Sequence, residues 1–304
     1  MKTILVTGSN GLLGQKITEN IRSSQHYRLI ATSRGANRFP LQEGYTYVSM
    51  DILDPENVRT VIDKYRPDAI IHTAAMTNVD TCQAQQEIAY ALNVEAVKTL
   101  ITCCQTYQIQ FIHLSTDFIF DGAAGPYDEQ ARLNPLSYYG ETKAAAEELV
   151  KQATCPWVII RTILVYGIVG DMSRSNIVLW AKGALEKAEP LNVVNDQWRM
   201  PTLAEDLAEA CLLAVEKEAR GIYHISGKDM MSIVELVRKV AAYWNLDDSL
   251  VKEVSSATLS QSAGRPLKTG FILDKAVADL NYQPHSFEEG LAILDRQVKA
   301  LPLK

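Results

Sequence analysis

Ile4-Leu5-Val6-Thr7-Gly8-Ser9-Asn10-Gly11-Leu12-Leu13-Gly14 opens the chain and decides its fold. A short apolar strand runs straight into three glycines, and a helical stretch from Gly11 to Ile21 follows at once. Gly8, Gly11 and Gly14 permit a tight turn, close approach of backbone to a pyrophosphate, and close packing of helix on strand. The helix N-terminus then turns free N–H groups and its positive dipole end toward phosphate. Strand, glycine turn and helix in this order predict a dinucleotide site, with Asn10 and Leu12 as further contacts in the same turn.

Outward from this unit the chain alternates strands with helices. Strands are predicted at Tyr27–Thr32, Tyr45–Met50, Ala69–His72, Phe111–Leu114 and Trp157–Ile160, and helices at Pro55–Tyr65, Glu87–Gln105 and Tyr139–Gln152. That rhythm implies right-handed crossovers and a parallel sheet covered on both faces: an α/β protein with a doubly wound Rossmann sheet. Beyond about Gly167 the regularity breaks down. Helices are predicted at Ser175–Lys187, Leu203–Lys217, Ile233–Tyr243 and Ser286–Val298, with short strands at Leu191–Val194 and Ile222–Ile225. The chain is therefore expected to divide into a dinucleotide-binding domain, 1–167, and a smaller substrate-binding lobe, mainly 168–304. Segments near 195–226 are expected to return to the first domain.

The 304 residues are 47% hydrophobic and 22% charged, so folding by burial of a core is expected. A net charge of -6 argues against nucleic acid or an anionic membrane as the main partner. No stretch reads as a membrane span and the N-terminus has no secretory pattern, so a cytoplasmic protein is expected. Cys82, Cys103, Cys104, Cys155 and Cys211 form no C-x-x-C pair and read as reduced thiols. The five histidines form no spaced cluster, and no metal site is predicted.

Roughly twenty residues past the last glycine, where an acidic residue would select the free ribose of NAD, the chain has Ser33-Arg34. These donors suit a 2′-phosphate, so NADP(H) is favoured, with NAD(H) possible. Asp51 and Ile52 follow the third strand, where the carboxylate would accept from the adenine amino group. Ala74 and Ala75 follow the fourth, where small side chains let backbone approach the cofactor. Downstream, Ser137-Tyr138-Tyr139-Gly140-Glu141-Thr142-Lys143 places Tyr139 and Lys143 four apart on one helix face. A phenol with a pKa near ~10 is a poor acid-base group at neutral pH, and a nearby ammonium favours its ionised form. Tyr139 would then move a proton to or from a carbonyl oxygen, while Lys143 also binds the nicotinamide ribose. A hydroxyl at the end of the fifth strand would orient that carbonyl; Thr116 is the choice, with Ser115 second.

Taken together, these residues resemble the extended short-chain dehydrogenase/reductase superfamily and, within it, the dTDP-4-dehydrorhamnose reductase family. The resemblance rests on TGSNGLLG near the N-terminus, IHTAAMTNVDTCQ from Ile70, LSTDFIFDG from Leu114 and NPLSYYGETKAAAEE from Asn134. It continues in RTILVYG from Arg161, VVNDQWRMPT from Val193, GIYHISG from Gly221, and Gly264-Arg265-Pro266. It implies reduction of the 4-keto group of a deoxyhexose attached to dTDP, with Thr116, Tyr139 and Lys143 as catalytic triad. It also implies a sugar-nucleotide site built from Met76, Asp117, Phe118, Trp198 and the segments around Asp196-Gln197, Pro201-Thr202 and Arg265. Arg265 suits a diphosphate by its planar fork as well. The chain departs from the family pattern at Phe118, at Ile163-Leu164 and at Trp198-Arg199-Met200. All three departures lie where the sugar is expected, which leaves open another sugar-nucleotide reductase or epimerase. A cofactor-binding regulatory subunit resembling the methionine adenosyltransferase β subunit is the alternative of a different class. By resemblance a homodimer is possible through the helices Glu87–Gln105 and Tyr139–Gln152.

Overall fold

Alternate residues of a strand face opposite sides of its sheet, and here both sides are covered. Seven parallel strands form the central sheet of the computed structural model, which describes residues 1–170, 176–258 and 262–300. The first half runs β1 (Thr3–Thr7), α1 (Leu12–Ser24), β2 (Arg28–Ser33), β3 (Thr46–Ser49), α2 (Pro55–Tyr65), β4 (Ala69–His72), α3 (Val79–Ala84) and α4 (Gln86–Tyr90). It continues with α5 (Ala96–Tyr107), β5 (Gln110–Thr116), α6 (Tyr138–Lys151), β6 (Trp157–Thr162) and β7 (Val165–Tyr166). The second half contains α7 (Ile177–Glu186), β8 (Leu191–Val194), β9 (Trp198–Arg199), β10 (Thr202–Leu203), α8 (Ala204–Glu216) and β11 (Gly221–Ile225). Last come β12 (Met231–Ser232), α9 (Ile233–Tyr243), β13 (Val251–Val254) and α10 (Phe287–Ala300).

The sheet order is β11-β6-β5-β4-β1-β2-β3. The chain therefore builds outward from β1 to β3, then crosses back to β4 on the other side of β1. This reversal opens a crevice at the C-terminal strand ends, the place where open α/β sheets bind ligands. Ile4, Val6, Ile71 and Ile160 pack on one face with Ile17 and Ile21 of α1 and Leu207 and Cys211 of α8. Leu5, Ile70, Phe111 and Ile159 pack on the other with residues of α2, α5 and α6, including Ile62, Leu100 and Val150. A separate core joins α7, α9 and α10 to the small β8–β13 sheet through Ala181, Leu236, Val240 and Leu291.

The elements begin where their capping residues stand. Asp54 accepts from the backbone N–H groups of Glu56 and Asn57 ahead of Pro55, and Ser232 forms a reciprocal capping box with Glu235. β5 and β6 run on to Thr116 and Thr162, past the predicted ends at Leu114 and Ile160. The predicted single helix Glu87–Gln105 is instead α4 and α5 joined by a π turn at Ala91–Glu95, and the short α3 precedes it. Ser175, the predicted start of the next helix, lies outside the described residues; α7 begins at Ile177 with Asn176 as its cap. The two-residue bridges β7–β10 and β9–β12 were not anticipated, because two residues carry no periodicity. Among the described residues, no helix is long and apolar enough to cross a membrane.

Candidate active site

The glycine turn shows why its residues are glycines. Gly8 has a φ of +69°, and a Cβ there would lie 2.8 Å from the Ala74 nitrogen. A Cβ on Gly14 would meet the Gly8 carbonyl oxygen at 2.4 Å, so α1 rests directly on the turn. Gly11 is the N-cap of α1 and supplies no side-chain acceptor, which leaves the first-turn N–H groups available to an anion. Above the turn lies a cleft of about 510 Å³ whose wall includes Gly8, Asn10, Gly11, Ser33, Arg34, Asp51, Ile52, Ala74, Ala75 and Met76. Leu12 and Gly14 are not in that wall: Leu12 faces Gly167, and Gly14 lies beneath the turn.

Asn10 ties the segment after β2 to the turn, accepting from the Arg38 N–H at 2.8 Å and donating to the Ala36 carbonyl at 2.9 Å. Arg38 joins Arg34 in the cleft wall, a second guanidinium that the sequence reading passed over. Its signal was the pair of arginines four apart in Arg34-Gly35-Ala36-Asn37-Arg38. A wider groove of about 750 Å³, lined in part by Lys2, Tyr27, Glu209 and Glu216, adjoins the N-terminal strand ends and gathers none of these groups.

At the far end of the crevice, Ser137 caps α6 by accepting from the Gly140 N–H at 3.2 Å. A Cβ on Gly140 would come within 2.2 Å of the Phe118 carbonyl oxygen, so glycine lets the first turn of α6 press against the end of β5. Tyr139 is buried there, its ring 5.8 Å from Phe118 in an edge-on contact. Burial pushes its phenol well above the usual tyrosine value, the Thr116 hydroxyl opposes that rise, and Asp117 and Cys82 add to it. The lowering expected from Lys143 is not what governs this phenol: burial sets the direction, and the protonated form is the resident one at neutral pH. Lys143, one turn on, is also buried, and burial pulls its ammonium down to about 8 against the opposing charge of Glu147. The Thr116 hydroxyl accepts from the Phe118 N–H and contacts an Asp117 carboxylate oxygen, both at 3.2 Å. Ser115 is buried with an unpartnered hydroxyl and, by strand alternation, faces away from Thr116.

The residues expected to face the substrate are knitted together from distant segments. Asp117 is buried, accepts from the Thr269 hydroxyl and lies 3.5 Å from the Arg199 Nε. Arg199 also donates to the carbonyls of Trp198 at 2.8 Å and Pro266 at 2.7 Å, with its guanidinium 5.8 Å from the Phe118 ring. Trp198, 37% exposed, pairs its backbone with Leu267 and Thr269. Arg265 grips Asp80 of α3 with two donors, at 2.6 and 3.4 Å, and holds that carboxyl below its usual value. Gln197 is buried with its amide nitrogen unpartnered. Asn93, in the π turn, clasps Met76 through its N–H at 2.9 Å and its carbonyl at 3.0 Å, and donates to the Thr142 hydroxyl at 3.1 Å. Asn93 was not singled out from sequence, and Arg199 was noted only as a departure from the family pattern, without its partner Asp117.

The family model for the RmlD substrate binding domain matches residues 1–299. The chain belongs to the RmlD substrate-binding-domain family. It is 32% identical to a dTDP-4-keto-6-deoxy-D-glucose reductase of Streptomyces niveus, over 87% of this chain and 86% of that one. It is 30% identical to the methionine adenosyltransferase 2 subunit beta of Xenopus laevis, over 83% of this chain and 75% of that protein. A solved dTDP-4-dehydrorhamnose reductase from Bacillus anthracis, in complex with NADP, superposes with a TM-score of 0.82 at 27% identity, covering 97% of this chain and 99% of that one. The RmlD-family chain thus shares the Rossmann-like α/β architecture of its solved relatives over almost its full length.

Proposed function

We propose that the protein is an NADP(H)-dependent reductase of a nucleotide-linked 4-keto-6-deoxy sugar, with dTDP-4-dehydrorhamnose, reduced to dTDP-rhamnose, as substrate. One observation carries this reading: the buried Thr116–Tyr139 pair, with Lys143 one turn on, stands at the strand ends beside a glycine-cradled cleft. The named reductases among the relatives support it, as does the NADP complex of the Bacillus anthracis protein.

The cradle fits a dinucleotide, since a Cβ at Gly8 would crowd the backbone where the cleft narrows, and Gly14 lets α1 sit close beneath the turn. Gly8, Asn10 and Gly11 would hold the pyrophosphate side, with Leu12 and Gly14 supporting the turn from beneath. Asp51, Ile52, Ala74 and Ala75 would flank the adenosine, and Tyr139 and Lys143 the nicotinamide ribose. Ser33 and Arg34, joined by Arg38, would take the 2′-phosphate. Residues 1–167 would do most of this work and 168–304 most of the sugar binding, with the stretch near 195–226 returning to the first domain. When bound, the reduced nicotinamide supplies the hydride. Tyr139 enters the reaction protonated, because burial holds it so, and releases its proton to the sugar 4-oxygen as negative charge develops there. Thr116 orients that oxygen, and the Lys143 ammonium favours the phenolate left behind. Met76, Phe118 and Trp198 wall the sugar from water, Asp117 positions Thr116, and Arg265, aligned by Asp80, meets the diphosphate.

NADPH oxidation with enzymatically made dTDP-4-keto-6-deoxy-L-hexose tests the reading. Tyr139→Phe should lower kcat by about 10²–10⁴-fold with NADPH affinity kept. A parent protein that binds NADPH but turns over no keto-sugar would overturn the reductase assignment in favour of a regulatory subunit.

A further inference from the structure

Lys143 is held by a side chain that the reaction above leaves unused. Among the described residues, its ammonium has a single hydrogen-bond partner, the Nε2 of His113 on β5, at 3.4 Å. His113 is 1% exposed. Its ring stacks 5.9 Å from His72 on β4 and 6.1 Å from Phe111, with interplanar angles of 22° and 24°. The other ring nitrogen, Nδ1, is buried with no partner among the described residues. A core position that leaves a donor or acceptor unmade is costly, and an aliphatic residue would fill the same place without that cost. What the imidazole offers that an aliphatic side chain would not is the Nε2 contact to Lys143.

Nε2 accepts from an ammonium only in a neutral ring that carries its proton on Nδ1. Burial and the nearby Lys143 charge both hold His113 neutral, far below the usual histidine range. The other groups facing Lys143 are already engaged. Glu147 of α6 receives two hydrogen bonds from Arg161 of β6, at 2.9 and 2.7 Å. His72 bonds the Thr7 hydroxyl at 2.7 Å, and the Cys82 thiol of α3 contacts the Met76 carbonyl at 3.5 Å.

We propose that His113 is a positioning residue whose neutral Nε2 accepts a hydrogen bond from Lys143 and seats the ammonium within reach of Tyr139 and the cofactor cleft. The proposal rests on the reductase reading for its kinetic consequence but not for its geometry. The His113 acceptor favours the charged form of Lys143, so losing it makes the ammonium give up its proton at lower pH. The alkaline limb of the kcat profile should then move toward neutral.

Two substitutions separate this role from packing. His113→Phe keeps a flat ring in the stack with His72 and Phe111 but removes the acceptor; His113→Gln keeps an acceptor and loses the ring. Reduction of the keto-sugar should show the alkaline limb displaced by about one pH unit in the Phe variant. In the Gln variant it should stay close to the parent, whatever the two melting temperatures. An unmoved limb in a folded His113→Phe protein would overturn the proposal. Imidazole nitrogen NMR of the full-length parent decides the matter independently of turnover. The expected signature is a proton on Nδ1 of His113, with an Nε2 shift that changes as Lys143 titrates and in Lys143→Met. A proton found on Nε2 would sink the His113 role while leaving the reductase reading standing.

Discussion

Lys143 holds a buried ammonium, and its pH behaviour follows from that burial. Lys143 is lowered from 10.5 to about 8, so below about pH 8 the folded and unfolded chains both carry the proton and the whole cost of burying charge is felt. Between about 8 and 10.5 the folded state sheds the proton first, and that cost is relieved as pH rises. The shift corresponds to about 3 kcal/mol. Lys143→Met should therefore melt above the parent at neutral pH, lose that advantage through the alkaline range, and have no turnover. A lower melting temperature at neutral pH would contradict this account. A second residue-scale test concerns Arg34 and Arg38, which share the cleft wall with Ser33. Replacing both by alanine should weaken NADPH binding by roughly 10²-fold, from the loss of charge-assisted hydrogen bonds, and leave NADH affinity nearly unchanged. An equal loss for both cofactors would remove these arginines from the 2′-phosphate site. The glycine turn and the Tyr139–Lys143 pair were legible because their meaning lies within a few residues. His113 and Arg199 act across 30 and 82 positions of sequence, as Lys143 and Asp117 show, and no local pattern announces such contacts.

At the scale of elements, the π turn between α4 and α5 is the feature that apolar periodicity conceals. The helical run from Gln86 to Tyr107 looks unbroken, and only the fold reveals that Ala91–Glu95 widens by a residue to turn Asn93 inward. That side chain fixes the loop after β4 to α6, so the cofactor wall at Met76 and the helix carrying Tyr139 move as one. Asn93→Leu would strand the Met76 backbone groups and the Thr142 hydroxyl in a buried site. The cost should be about 2–4 kcal/mol, read as a fall in denaturation midpoint, with kcat reduced and some NADPH affinity lost. Asn93→Asp keeps the acceptor toward the Met76 N–H but sets an oxygen against the Met76 carbonyl, so it should also be destabilising. If Asn93→Leu melts like the parent, the clasp has no structural weight. Other elements were legible where caps and breaks are local: α2 and β4 fall at their predicted bounds, with Asp54 and Pro55 marking the start of α2. α3, at six residues, and the two-residue bridges are too short for periodicity to report; they exist because distant segments meet.

At the scale of the molecule, the topology separates the two ligand halves. The proposed cofactor cleft is lined by residues in and after β1 to β4 and by the α4 region, whereas the proposed sugar side depends on the segments 197–202 and 262–271 closing over the end of β5. The Asp117–Arg199 pair is the buried link in that closure, and Arg199 stands at one of the positions where the chain departs from its family pattern. Burial alone raises the Asp117 carboxyl, and the Arg199 charge pulls it back. Removing the guanidinium in Arg199→Ala leaves a buried carboxylate without a cation, at a cost of about 3–5 kcal/mol. Because the carboxyl is then raised further above its unfolded value, the loss should be greatest at neutral to alkaline pH. It should ease as pH falls and Asp117 takes up a proton. Adding Asp117→Asn should restore much of the stability by removing the unpaired charge. NADPH affinity should change little in either variant, because none of the cleft wall depends on the pair, while turnover of the keto-sugar falls steeply. Limited proteolysis should cut Arg199→Ala first within 197–202 or 262–271. Parallel loss of NADPH binding would show instead that the two halves are coupled through β5, and that Arg199 supports the cofactor site as much as the sugar site.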